Sequence, residues 1–130
     1  MLVSGATGAA ASWLFGGIDK TIVWLTVFVA LDWVSGLCAS LITREASSAR
    51  GFRGLVKKAL IFAIVVLCHG ADVVLGTNGI RDTVVAIALA NEVLSIVENI
   101  ERAGLGAYIP PRVRKALKQL KDEQGKEESK

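Results

Sequence analysis

The sequence has 130 residues, of which 52% are hydrophobic and 6% aromatic, and its formal net charge is +3. Its three long apolar stretches carry almost no charge, so they lack the polar face that a soluble helix of that length needs. Stretches of this length match a hydrocarbon layer of about 30 Å. These features exclude a soluble globular domain and predict an all-α membrane protein with three transmembrane helices.

The fifteen Lys and Arg residues are distributed unevenly. Five lie in residues 43–58 and eight in residues 101–130. Basic residues mark the cytoplasmic side of a membrane protein, so the pattern predicts an outer N-terminus and an inner C-terminus. The anionic partner expected for both basic segments is the lipid of the inner leaflet, not nucleic acid.

Residues 1–18 are uncharged apart from the amino terminus, and they are rich in Gly and Ala. A cleaved signal peptide would carry an early Lys or Arg, and this segment has none. The segment is long enough for a fourth span, but only Asp19-Lys20 would join it to the next. We expect instead a helix that lies in the membrane interface, anchored by Trp13 and Phe15.

The first predicted span covers residues 21–42, with Asp32 near its midpoint. A carboxylate at that depth costs about 2.5–3.5 kcal/mol on insertion scales. Gly36 and Ser40 form a small-xxx-small pair on the same side of the helix, which allows close helix approach. This small polar side indicates either tight packing within one molecule, or a subunit contact or pore lining.

Residues 43–58 are predicted to form a basic cytoplasmic loop, in which Gly51-Phe52-Arg53-Gly54 would be a flexible turn. The candidate residues of this loop are Arg50, Gly51, Arg53, Gly54, Lys57 and Lys58. No strand precedes the two glycines, as a nucleotide-binding fingerprint would require.

The second predicted span covers residues 59–75, where His69 and Asp72 share a helix face near the outer end. They would form either a proton relay or pH sensor, or a mutually satisfied pair close to the surface. Cys38 and Cys68 lack neighbouring ligands at zinc spacing, so we expect free, buried thiols and no metal site.

The third predicted span covers residues 83–100, and a polar stripe about a third of its circumference wide continues to the inner boundary at Arg102. The stripe consists of Asn91, Glu92, Ser95, Glu98, Asn99 and Arg102. Asp32 and Glu92 lie at similar depth, and the sequence pattern places no basic group within the spans to neutralise them. This shortage of partners within one chain predicts self-association, with the polar stripe facing other subunits or water.

Residues 101–130 are predicted to form a basic cytoplasmic tail. A helix would begin at Pro110-Pro111, with Val113, Leu117 and Leu120 along one side, and residues 122–130 would be disordered. The chain has one His, no nucleophile motif and no P-loop, so we expect neither an enzyme nor a bound cofactor.

Four motifs in this order are similar to those of the toxin-secretion and phage-lysis holin family, over about residues 15–122. The carriers are Leu31-Asp32-Trp33-Val34-Ser35-Gly36, Ser47-Ser48 through Gly51-Phe52-Arg53-Gly54 with Lys57-Lys58, His69 to Asp72, and Asn91-Glu92-Val93-Leu94-Ser95-Ile96-Val97-Glu98-Asn99. The last resembles the family's NE-x-x-S-x-x-EN signature.

The resemblance implies a small phage protein that oligomerises in the host cytoplasmic membrane and forms holes for an endolysin or a toxin. On this interpretation Asp32, Ser35, Gly36, His69, Asp72 and the stripe residues of the third span line a pore or an oligomer face. Two other interpretations stay open from the residues alone. One is a small membrane subunit or adaptor of a transport complex, and the other is an ion or proton channel.

Overall fold

The computed structural model describes residues 2–129 and is all-helical over that range. Five α-helices and one short 3-10 helix follow one another along the chain. They are α1 (Leu2–Phe15), α2 (Lys20–Ile42), α3 (Ser48–Leu75), α4 (Ile80–Arg102), the 3-10 helix Gly106–Tyr108, and α5 (Pro111–Glu128). Helices α2, α3 and α4 are each long and apolar enough to span a membrane, which confirms the prediction of three transmembrane helices.

Local sequence sets the helix ends. Asp19 caps α2 by accepting a hydrogen bond from the Ile22 amide, and Ser47 caps α3 by accepting one from the Arg50 amide. Helix α3 ends at Gly76, whose φ of 68° is left-handed and favours glycine. Pro111 occupies the first turn of α5, where its missing N–H costs nothing.

Two predicted boundaries are wrong. The loop predicted over residues 43–58 is short, because α3 begins at Ser48 and continues through the glycines and Lys58 without interruption. The disordered tail predicted over residues 122–130 is helical as far as Glu128. The helical start of α3 places Lys57 and Lys58 on a membrane-length helix, and this changes the interpretation of the site.

Helix α4 lies at the centre of the bundle, packed against both α2 and α3. A small apolar core joins the three helices through Ile22, Leu25, Val65, Val85 and Ala88. Most other apolar side chains face outward: Leu67 is 70% exposed and Val74 84% exposed. An apolar exterior around a small core is what a bundle surrounded by lipid requires.

Helix α1 packs against α3 near the end of the bundle where α3 meets α4. The rings of Phe15 and Phe62 contact edge-to-face, with centroids 6.1 Å apart. A Cβ atom at Gly16 would lie 2.5 Å from Nδ1 of His69, and Gly16 also has a φ of 74°, so glycine is required there. The interfacial position of α1 stays a prediction.

Candidate functional site

An ionic cluster lies in the middle of the bundle and consists of Asp32, Lys58 and Glu92. The Lys58 ammonium lies 2.5 Å from Oδ2 of Asp32 and 2.8 Å from Oε1 of Glu92. The side chains are 18%, 10% and 2% exposed for Lys58, Asp32 and Glu92, respectively. One cation therefore bridges two buried acids contributed by two other helices.

The three residues lie at the same height because of their spacing along the chain. We call the end of the bundle where α2 and α4 end and α3 begins the basic end. Asp32, Lys58 and Glu92 are each ten residues from it, counted from Ile42, Ser48 and Arg102. At 1.5 Å per residue this is about 15 Å, half the thickness of a hydrocarbon layer.

Asn99 extends the cluster towards the basic end. Its side-chain amide donates to Oδ1 of Asp32 at 2.8 Å, to the Asp32 carbonyl at 3.1 Å and to Oγ of Ser35 at 3.0 Å. Gly36 leaves room for this contact, because a Cβ there would already lie 3.4 Å from the Asn99 amide nitrogen. The Arg102 guanidinium then donates to the Gly36 carbonyl and to Oγ of Ser40.

These contacts correct one prediction and favour one of two alternatives. The expectation that nothing basic within the spans neutralises Asp32 and Glu92 is wrong, because Lys58 neutralises part of their charge from within the same chain. Of the interpretations of the small side around Gly36, the structure favours packing within one molecule, against Asn99 and Arg102 of α4.

The cluster remains unbalanced. Glu92 Oε2 is buried and has no hydrogen-bond partner within residues 2–129. One ammonium also leaves one negative charge in excess when both acids are ionised. A buried group of ions with an unsatisfied oxygen is costly in a low-dielectric layer. Stability of the bundle therefore does not by itself explain why these three residues are charged.

The polar stripe of α4 is divided between two sides. Glu92, Asn99 and Arg102 point to α2 and α3, whereas Asn91 and Glu98 contact α5. Ser95, which lies between Glu92 and Glu98 in the sequence, is half-buried. The six residues therefore do not form one common surface towards other subunits.

Helix α5 folds back along α4. Lys121 donates to Glu98 at 2.9 Å, and the Gln124 amide donates to Asn91 at 2.6 Å. The contact with Glu98 raises the pKa of Lys121. Sequence reasoning missed these partners, since nothing in the tail's pattern indicates which helix it meets.

His69 and Asp72 lie at the opposite end of the bundle from the basic residues and do not join the ionic cluster. Asp72 accepts hydrogen bonds from the Ile80 and Arg81 amides and from Thr77, so it caps the start of α4. Within the described part of the chain no hydrogen bond joins it to His69. Neither the relay nor the mutually satisfied pair is what the geometry shows.

Arg81 joins the segment between α1 and α2 to the start of α4. It donates to the Phe15 and Gly17 carbonyls and to the carboxylates of Asp19 and Asp82. The guanidinium holds the pKa of Asp19 well below its usual range, mainly through its hydrogen bond to that carboxylate. This contact fixes the junction between α1 and α2.

The two cysteines are free, but they are not both buried as expected. Cys38 is exposed on α2 and Cys68 is half-buried. Across residues 2–129 no group of three or more His, Cys, Asp or Glu side chains is arranged to hold a metal ion. The contacts that form the site are ion pairs and hydrogen bonds.

Comparison with known proteins gives one family. The sequence model described as "Bacteriophage holin family" matches residues 9–122. A protein named "Probable holin" from Bacillus phage phi105 is 31% identical over 102 residues, covering 78% of this chain and 73% of that one.

Bacterial relatives are also similar to this chain. An uncharacterized protein of Listeria innocua is 43% identical over 99 residues, covering 75% of this chain and 71% of the relative. A 14.9 kDa protein from the nagH 3′ region of Clostridium perfringens is 36% identical over 115 residues, covering 87% and 86%. No solved structure matches.

Proposed function

The chain belongs to the bacteriophage holin family, and from that membership we propose that it assembles in the bacterial cytoplasmic membrane into holes that release an endolysin or a toxin. Three membrane-length helices and membership of the family support a multi-pass membrane protein with a holin-like role. Hole formation, the cargo and the timing of host lysis are the proposal.

The observation that carries the proposal is the ionic cluster at the centre of an apolar bundle. Replacing such a group by apolar residues of similar volume is often neutral or stabilising, so packing alone does not favour keeping it. Ionisable groups in the middle of a membrane usually mark a path for water or ions. The cluster supports a second state in which these charges are hydrated.

The proposed mechanism has two states. In the closed state Lys58 bridges Asp32 and Glu92, and the exposed apolar faces of the bundle contact lipid. In the open state the helices separate at the cluster, and the three side chains of each copy face a shared water-filled lumen. A trigger that stabilises the hydrated state shifts the population towards the hole.

The basic end faces the cytoplasm in this proposal, because it carries Arg44, Arg50, Arg53 and Arg102. The chain would then have an outer N-terminus and an inner C-terminus. Self-association no longer follows from unpaired acids, since Lys58 pairs with both. It is proposed from membership of the family, because apolar outer faces are already satisfied by lipid.

The first experiment is inducible expression of this chain in a bacterium, with and without a co-expressed cytoplasmic endolysin. Viability and membrane potential are followed, and the membrane fraction is cross-linked through the exposed Cys38. We expect a sudden loss of potential, a ladder of oligomers, and lysis only with the endolysin. Continued growth without a ladder would instead indicate a subunit that waits for another protein.

A charge variant tests the role of the cluster. Glu92→Gln removes one charge and keeps a group that can accept from Lys58, so it should preserve insertion and change the timing or conductance of the hole. The matched control is Glu98→Gln, on the same helix but outside the cluster. Wild-type timing and conductance in Glu92→Gln would contradict the proposed opening at the cluster.

A further inference from the structure

A cavity of about 260 Å³ lies between α2 and α3 at the basic end. It extends inward to Asp32 and Lys58, and α4 contributes Asn99 and Arg102 to its lining. Gly51 and Gly54 line it on α3, and their lack of side chains helps to keep the space open. This cavity is not needed to explain the helix packing described above.

The cavity has an excess of positive charge. Arg50, Lys57 and Arg102 line it, and its single described acid, Asp32, already pairs with Lys58. Arg50 and Lys57 form no ion pair within residues 2–129. Arg102 donates only to a neutral carbonyl and a hydroxyl. The residues that line the cavity therefore carry three positive charges beyond the Asp32–Lys58 pair.

An apolar groove continues from this cavity along the outer side of the same two helices. It has a volume of about 470 Å³ and shares Trp33, Leu37 and Gly51 with the cavity. Leu41, Phe52 and Leu55 complete it, and they are 68%, 67% and 49% exposed. A cationic cavity beside an exposed apolar groove requires an occupant that is anionic at one end and apolar at the other.

We propose that this cavity and groove bind one anionic phospholipid of the leaflet at the basic end. The phosphate would lie among Arg50, Lys57 and Arg102, and an acyl chain would follow the groove past Trp33 and Phe52. The positive excess of the lining residues favours a headgroup with net negative charge over a zwitterionic one. Arg50 lies in the first turn of α3, at the depth where headgroups meet the hydrocarbon layer. The site rests on membrane insertion and does not depend on hole formation.

The test uses the full chain in lipid vesicles, with Trp33 as the reporter. Trp13→Phe and Trp24→Phe leave Trp33 as the one tryptophan of the chain. Its fluorescence is quenched by phosphatidylglycerol brominated on the acyl chain, or by phosphatidylcholine brominated in the same way, each diluted into unbrominated lipid. We expect stronger quenching by the anionic lipid at equal mole fraction.

Two variants and one control locate the effect. Arg50→Gln and Lys57→Gln should each lower the preference for the anionic lipid about fivefold. Arg53→Gln removes a cation from the same helix and the same end, but Arg53 does not line the cavity, so the preference should stay. Equal quenching by the two lipids, or an equal loss in Arg53→Gln, would overturn the proposal.

A filling variant separates a specific site from general attraction to the membrane surface. A Cβ at Gly54 meets no atom within 4 Å, and Gly54 lines the cavity, so the side chain of Gly54→Leu should take up part of the cavity. It should abolish the lipid preference while circular dichroism stays unchanged. Relief of wild-type quenching by inorganic phosphate would assign the cavity to a soluble anion instead. If self-association protects Trp33 from both brominated lipids equally, the cavity and groove would instead be assigned to a second copy of this chain.

Discussion

Replacing Lys58 with Met removes the cation that bridges Asp32 and Glu92, and its effect follows from the contacts each acid retains. Asp32 keeps the hydrogen bond from Asn99 to Oδ1. Glu92 keeps none within the described residues, because Lys58 is the partner of Oε1 and Oε2 has no partner. Removing one partner of a buried pair costs about 3–5 kcal/mol of folding free energy. Since Lys58 remains 18% exposed, we expect the lower end, about 3 kcal/mol.

The retained contacts also predict an unequal rescue. Adding Glu92→Gln to Lys58→Met removes the acid that has lost every partner, so it should recover most of the loss. Adding Asp32→Asn should recover less, because Asp32 is still stabilised by Asn99. The assay is equilibrium unfolding of the purified chain in mixed detergent micelles, titrated with a denaturing detergent and followed by tryptophan fluorescence.

Lys57→Met is the control, because Lys57 is exposed and forms no ion pair within residues 2–129. Its free energy of unfolding should change by less than about 0.5 kcal/mol. The reasoning is refuted when Lys58→Met shifts unfolding no more than this control. It is also refuted when Asp32→Asn rescues as well as Glu92→Gln.

Three further substitutions and one change of pH test the other contacts. Asn99→Leu removes the donor to Asp32 and should lower the free energy of unfolding by about 1–3 kcal/mol in the same detergent titration, whereas an unchanged midpoint would contradict the contact. Arg81→Gln should speed hydrogen exchange in α1, because Arg81 joins α1 to α4, and wild-type protection of α1 would exclude that role. Because the pKa of Asp19 is lowered in the folded chain, ionised Asp19 stabilises the fold above its unfolded pKa of about 3.9. This stabilisation is lost as the pH falls towards the folded pKa. The amides of α1 should therefore stay protected from exchange at neutral pH and lose protection only below about pH 4. Lys121→Gln should release α5, measured as a longer spin-label distance between α4 and α5, and high salt should act in the same direction because the Lys121–Glu98 pair is exposed.

The sequence was sufficient for the three spans because apolar length alone identifies them. The ends of α2 and α4 lie within three residues of the predicted ones, whereas α3 begins eleven residues before the predicted start. Asp32 and Glu92 could be placed at equal depth by counting from the helix midpoints. The fold class therefore followed from two simple quantities, the length of each apolar stretch and the helical rise per residue.

The cation of the site could not be recognised from charge counting. Lys58 follows a run with two glycines and four other basic residues within 43–58, which is the usual composition of a cytoplasmic loop. The structure instead begins α3 at Ser48, whose predecessor Ser47 provides the cap. The signal was present in the Ser47 cap, but glycine content concealed it. Glycine is tolerated in membrane helices, where close packing favours it.

Helical periodicity places the polar stripe of α4 within about a third of the circumference, but a shared face does not specify a shared partner. Glu92 and Glu98 are six residues apart and lie about 120° apart around the helix, enough for two different neighbours to contact them. The assignment of Glu98 to α5 depends on the turn at Gly104, whose φ of 88° lets the chain reverse. Such a reversal is a tertiary property that a local pattern does not contain.

The length of α3 has a consequence for the membrane in which the bundle sits. From the ionic cluster to the end opposite the basic end, α3 runs from Lys58 to Leu75, about 26 Å, whereas α2 and α4 cover about 18 Å each. The extra 8 Å or so ends in Val73, Val74 and Leu75, which are apolar and exposed, so α3 gains by tilting into lipid instead of extending into water.

A mismatch of this size costs a fraction of a kcal/mol per Å, in total a few kcal/mol. That total is comparable with the cost of breaking the contacts of Lys58 that hold α3 at its depth. Bilayer thickness thereby becomes a mechanical load on the ionic cluster. A thinner membrane strains the closed bundle, and a thicker one relaxes it.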